Sequence, residues 1–233
     1  MEMGVNAPPL HPSCRCSTAA YMDREEFEKW LSEQGVHAAS SRVGSELLEF
    51  NSNADYSINL PGYSKEVQRG LSSASREVAR LGGKDGLEHL VLVDLKNGNW
   101  VYEEVGGRDY VGGEEFWKFI KKHQGGSYAF VHNHNIVSSL SIDDASTLAT
   151  MSNIRAMIAI QNDGLKYMAV SNGATATKTW YDELYKKELE SLNKASKDGK
   201  ISAIERVKRR EEIIVNSLLN DYAEGMEVQD GRK

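Results

Sequence analysis

Cysteine is nearly absent. The 233-residue chain carries only Cys14 and Cys16, with Arg15 between them. A bridge across one residue is strained, so no disulfide framework is expected and a reducing compartment fits. Proline is scarce too: three of the four fall within residues 1–21, which read as an extended segment without a core of its own. No apolar run reaches the roughly eighteen residues of a membrane span, so no membrane contact is expected. The opening MEMGVNAPPLHPSC has neither the basic start nor the apolar stretch of a secretory signal. Positive charge is not in excess. A formal net charge of −6 argues against a nucleic-acid binder, which normally shows a basic face. What remains is ordinary for a globular protein, 40% hydrophobic and 27% charged. The length allows one sizeable domain with appendages, or two small ones.

Periodicity divides the chain. After the extended segment at 1–21, residues 22–63 read as a short helix and a connector. In the helix, Asp23 caps, Glu26 completes a capping box, and Phe27, Trp30 and Leu31 share a face. Residues 64–174 show the sharpest pattern. A helix is predicted from Ser64, with Val67, Leu71, Val78 and Leu81 on its apolar side, and Gly82–Gly83 predicted to stop it. The strand HLVLVDL, the turn KNGN and the strand WVYEEV follow as a hairpin. GGEEFWKFIKKH is a helix with acids first and lysines last, as the helix dipole favours. SYAFVHNH is a strand, IDDASTLATMS a short helix, and RAMIAIQ and LKYMAVS two strands around NDG. Residues 175–225 read as helical, with Trp180, Leu184, Leu189 and Leu192 on one stripe and a break at Asp198–Gly199. Beyond the break the stripe resumes with Ile201, Ile204, Ile213, Ile214 and Leu218. Residues 226–233 read as a loose tail. The fold class expected is α/β (α+β): a mixed sheet flanked by helices, with a C-terminal helical hairpin through which subunits can pair.

The chemistry concentrates in AFVHNHNIVSSLSIDDAS. If the strand ends at His132, His134 lies two residues on and faces the same side. Two imidazoles can then reach one ion, and Asp144, one turn into the next helix, can turn back to supply a third ligand. Three protein ligands leave a fourth position open, which marks a catalytic zinc site rather than a structural one. Glu88, just before the strand HLVLVDL, is the predicted general base, with Glu103 and Glu104 as rivals. Ser141 is predicted to hydrogen-bond the developing oxyanion. His89 and His123 read as structural or surface residues. The mixed charges at 205–212 read as a solvated helix face.

A glutamate before a strand, then His-x-His, then Ser-x-x-Asp, resembles the JAB/MPN (JAMM) metalloprotease family, phage and RadC-like members included. The motif residues here are Glu88, HNH at 132–134 and SIDD at 141–144. The resemblance covers about residues 64–173. Six residues separate His134 from Ser141, where the family usually has seven, and Asn135 replaces the common proline. The resemblance implies a JAB/MPN-like fold and zinc-dependent hydrolysis of a peptide or isopeptide bond in a protein or peptide substrate. Residues 4–21, with NAPPLHPSCRC, resemble the closing segment of phage Mu F-type head-morphogenesis proteins. That implies a phage or prophage setting, with capsid or portal components as partners and the bacterial cytoplasm or the virion as location. His11, Cys14 and Cys16, with His37 as a fourth, are candidate ligands of a second zinc, or they brace a loop without metal. The alternative function is a non-enzymatic minor head protein using a JAB fold for binding. Metal-dependent nuclease chemistry through His132 and His134 is a third reading.

Overall fold

A computed structural model describes residues 47–176, 180 and 183–232. The helix expected at 23–34 lies outside the described residues.

Helix α1 (Lys65–Asp85) begins at Ser64, whose hydroxyl accepts from Val67 N at 3.3 Å. The hairpin follows as β1 (His89–Asp94) and β2 (Trp100–Val105). Helix α2 (Glu114–Lys122), strand β3 (Tyr128–His134) and helix α3 (Ile142–Thr150) come next, then β4 (Ile154–Gln161) and β5 (Leu165–Ser171). A π-helical turn (Tyr185–Leu189) leads into α4 (Glu190–Lys197), α5 (Ala203–Tyr222) and β6 (Ala223–Asp230). The strands form one mixed sheet in the order β2-β1-β3-β4-β5-β6, in which only the β3–β4 pair is parallel.

Helices cover both faces of this sheet, so its central strands are buried on both sides and read as near-continuous apolar runs. On one face α1 sends Val67, Leu71, Ala74 and Val78 against Val91, Val93, Val131, Ile158 and Ile160. On the other, Phe116 and Ile120 of α2, Leu148 of α3 and Leu218 of α5 pack on Leu90, Leu92, Phe130 and Met157. β1 alternates between the two cores residue by residue.

Three expectations need correction. First, Gly82 and Gly83 do not stop α1, which runs on to Asp85 and ends at Gly86 in the left-handed conformation (φ 73°). The pair instead allows close approach: a Cβ on Gly82 would lie 2.0 Å from Asn133 Nδ2, and one on Gly83 2.6 Å from Phe50 Cβ. Second, the loose tail is β6, antiparallel to β5 from Leu165↔Asp230 to Ser171↔Ala223. It is an edge strand with mostly exposed side chains, so it carries little apolar alternation. Third, the connector contains Ala54, Tyr56, Ile58 and Leu60, all buried against α1. The break expected at Asp198–Gly199 is where α4 ends, with Gly199 at φ 70°. Among the described residues no helix is long and apolar enough to cross a membrane.

Candidate metal centre

Strand β3 is buried along its whole length and ends in His-Asn-His. His132 and His134 share a face, and their rings meet edge to face with centroids 4.8 Å apart and Nε2 atoms 3.0 Å apart. Asn133 points the other way, into the cradle left by Gly82. There its Oδ1 accepts from His89 N at 2.7 Å, and its Nδ2 donates to Leu87 O and to Asn135 Oδ1. The strand end is therefore locked from behind. The ring of His134 is fixed from the side, with Nδ1 2.8 Å from Ser138 Oγ. His132 packs edge-on against Phe130 at 5.2 Å, and its Nδ1 is buried with no hydrogen-bond partner among the described residues.

Asp144 arrives from α3. Ser141 and Asp144 form a capping box: the Ser141 hydroxyl accepts from Asp144 N at 3.1 Å and donates to Asp144 Oδ2 at 2.8 Å. Ser141 N donates to the same oxygen at 2.7 Å. This turns the carboxylate back toward β3, where Oδ1 lies 3.1 Å from His132 Nε2 and Oδ2 lies 3.5 Å from His134 Nε2. Burial alone would push the Asp144 carboxyl up, but the two histidines, by charge and hydrogen bonding, hold it well below the usual carboxylate range. A buried carboxylate between two imidazoles calls for a positive charge, from a proton or from a cation.

One ligand atom from each of His132, His134 and Asp144 lies within 4.8 Å of the others. Bonds of about 2.0–2.1 Å at tetrahedral angles place ligand atoms roughly 3.3–3.4 Å apart. The two Nε2 atoms lie 3.0 Å apart and reach different oxygens of Asp144, His132 at 3.1 Å from Oδ1 and His134 at 3.5 Å from Oδ2, so nitrogen and carboxylate donors converge near that spacing and the donor set fits a divalent ion. The cluster can coordinate a metal.

No protein family, curated protein or solved structure matches this chain.

Glu88 lines the same pocket as the cluster and is 8% exposed. The β1–β3 register pairs Leu90 with His132, and continuing it by two residues sets Glu88 opposite His134. Its backbone is tied to the following loop, with Glu88 N donating to Gly107 O at 2.7 Å and Gly106 N donating to Glu88 O at 2.8 Å. The rivals stand elsewhere. Glu104 accepts from Gly113 N at 2.6 Å and from the Tyr102 hydroxyl, and neither Glu103 nor Glu104 lines the pocket. His89 pairs with Asp85 at 2.9 Å, and His123 Nδ1 sits 2.8 Å from Phe119 O. His11, Cys14, Cys16 and His37 lie outside the described residues.

Sequence reasoning missed one wall of this pocket. Arg108, Asp109, Tyr110 and Val111 line it from the loop between β2 and α2. The available signal was GGRDYVGG, a polar and aromatic tip between glycine pairs. Ser138, which orients His134, was missed as well.

Proposed function

We propose that this chain is a metal-dependent amide hydrolase of the JAMM type, acting on a peptide or isopeptide bond with zinc. The observation that carries the reading is a buried His132–His134–Asp144 cluster in one pocket with Glu88. When bound, the ion supplies Lewis acidity, polarising the substrate carbonyl and making water a better acid. His132 and His134 would offer Nε2 and Asp144 a carboxylate oxygen to the ion, and the hydrogen bonds of Ser138 to His134 and of Ser141 to Asp144 orient those two side chains. Glu88 accepts a proton from the attacking water as the C–O bond forms. It returns that proton to the departing amine nitrogen as the C–N bond breaks. The Ser141 hydroxyl donates to the developing oxyanion by turning from Asp144 Oδ2, which the Ser141 backbone N–H still holds. The string at residues 4–21 points to phage head proteins as the partner set, in the host cytoplasm or the virion.

The test combines metal analysis with a peptide-library digest. Purified protein reconstituted with zinc should hold about one ion per described site, and His134→Ala should hold none there. Glu88→Gln should keep the ion and lose hydrolysis. A protein that takes up no zinc, or a Glu88→Gln variant that cleaves like the parent, sinks the reading.

A further inference from the structure

We propose that Arg108 is a specificity residue that takes a substrate carboxylate next to the scissile amide. This rests on the hydrolase reading above and deepens it. Among the described residues, Arg108 is the only lysine or arginine that lines the pocket; the acidic residues there are Glu88, Asp109, Asp143 and Asp144. None of the ion pairs among the described residues uses its guanidinium.

Its position is fixed by backbone. Gly107 N donates to Tyr110 O at 2.8 Å, closing a tight turn around Arg108. The two hydrogen bonds between Glu88 and Gly106–Gly107 staple that turn to the residue proposed as base. Asn135 Nδ2 donates to Arg108 O at 3.3 Å, which ties the turn to the residue following the second histidine. The Tyr110 ring covers the turn so closely that a Cβ on Gly107 would meet its Cε1 at 2.2 Å. The backbone of Arg108 is thus tied to the residues around the cluster, and its exposed side chain is left to reach a bound substrate.

The charge pattern says what it recognises. A guanidinium presents a planar fork of donors that matches a carboxylate in two parallel hydrogen bonds. Glu88, Asp109, Asp143 and Asp144 offer a carboxylate no opposite charge, so apart from a bound cation the protein group suited to take one is the Arg108 guanidinium, and comparing zinc-loaded with metal-free protein separates its pull from that of the ion. The group is either an Asp or Glu side chain within one or two residues of the cleaved bond, or the free C-terminal carboxylate of a short product-side segment.

The probes are three peptides: acetyl-GGEGG-amide, acetyl-GGQGG-amide and acetyl-GGGG with a free carboxylate. Binding is measured by calorimetry on zinc-loaded and on metal-free protein, with amide shifts of residues 106–110 followed by NMR. The expected result is that one acidic peptide binds roughly tenfold more tightly than the glutamine peptide. Which acidic peptide wins separates a side-chain from a terminal carboxylate. In Arg108→Gln the gap should shrink to about twofold or less, and Arg108→Lys should keep part of it. Zinc content should stay at the parental level in both variants. Equal affinity for all three peptides, or a preference that survives Arg108→Gln, overturns the assignment. If zinc fails to load yet the Arg108-dependent preference appears in the metal-free protein, the hydrolase reading falls and the carboxylate site stands.

Discussion

Replacing Gly82 with alanine sets two effects against each other. Gly82 lies inside α1, where alanine should gain about 0.8–1.0 kcal/mol of helix propensity. The new methyl, however, would stand 2.0 Å from Asn133 Nδ2 and 2.8 Å from Asn135 Oδ1. The Asn133 amide must move by more than about an ångström to reach ordinary contact distance, and it is not free to do so. It accepts from His89 N and donates to Leu87 O and Asn135 Oδ1, all at 2.7–3.1 Å. Leaving two of these buried groups unsatisfied costs about 2–6 kcal/mol. The net expectation is a loss of about 1–5 kcal/mol, read as a fall in melting temperature of roughly 3–15 °C. Circular dichroism at the helix band measures it. Gly125→Ala, where a Cβ meets nothing within 4 Å, is the control and should change stability by no more than about 0.5 kcal/mol. Because Asn133 stands between His132 and His134, zinc affinity should fall in Gly82→Ala as well. A variant as stable as the parent, or more so, would refute the claim that the cradle behind β3 holds the site.

Ser141→Ala removes a helix cap and a hydrogen bond to a carboxylate, so it should cost about 2 kcal/mol in chemical denaturation. At saturating zinc its kcat should remain about a hundredfold low; full restoration by zinc would reduce Ser141 to a positioning residue. Chelation of the loaded protein should lower the melting temperature by roughly 8–16 °C, as expected for an ion at about a thousand times its Kd. An unchanged melting curve would speak against an ion in this cluster. Burial pushes the Tyr56 phenol up to about 12, with its hydroxyl 2.7 Å from Asn162 O. The unfolded chain therefore releases this proton first, near 10, and stability should fall as pH rises from about 10 to 12. Tyr56→Phe should flatten that slope in melting curves taken across the window.

The parts of the molecule legible in the sequence are those whose cause is local. β1 and β3 are apolar runs because both their faces are covered, and α2 declares itself by acids at one end and lysines at the other. His132 and His134 could be paired from spacing alone, since alternate residues of a strand share a face. Asp144 could be added because a capping box fixes the first turn of α3. What stayed hidden depends on distant partners. Gly82–Gly83 looks like a stop until Asn133 and Phe50 are seen to fill the space above it. β6 forms because β5 offers it an open edge, not because its own residues alternate. Ala54, Tyr56, Ile58 and Leu60 do alternate, and polar neighbours masked the pattern. Arg108 gave no sign of its place because the staple to Glu88 is made by backbone atoms.

The asparagines behind the histidines draw distant stretches into one knot. Asn162 Nδ2 donates to Leu48 O and to Asn135 Oδ1, Leu48 N donates to Asn135 O, and Asn133 reaches Leu87 and His89. Pulling any strand of that knot strips partners from the others. The amides of Leu48 and His89, which donate into the knot, should therefore exchange with solvent as a single cooperative unit, so that the centre is either whole or gone.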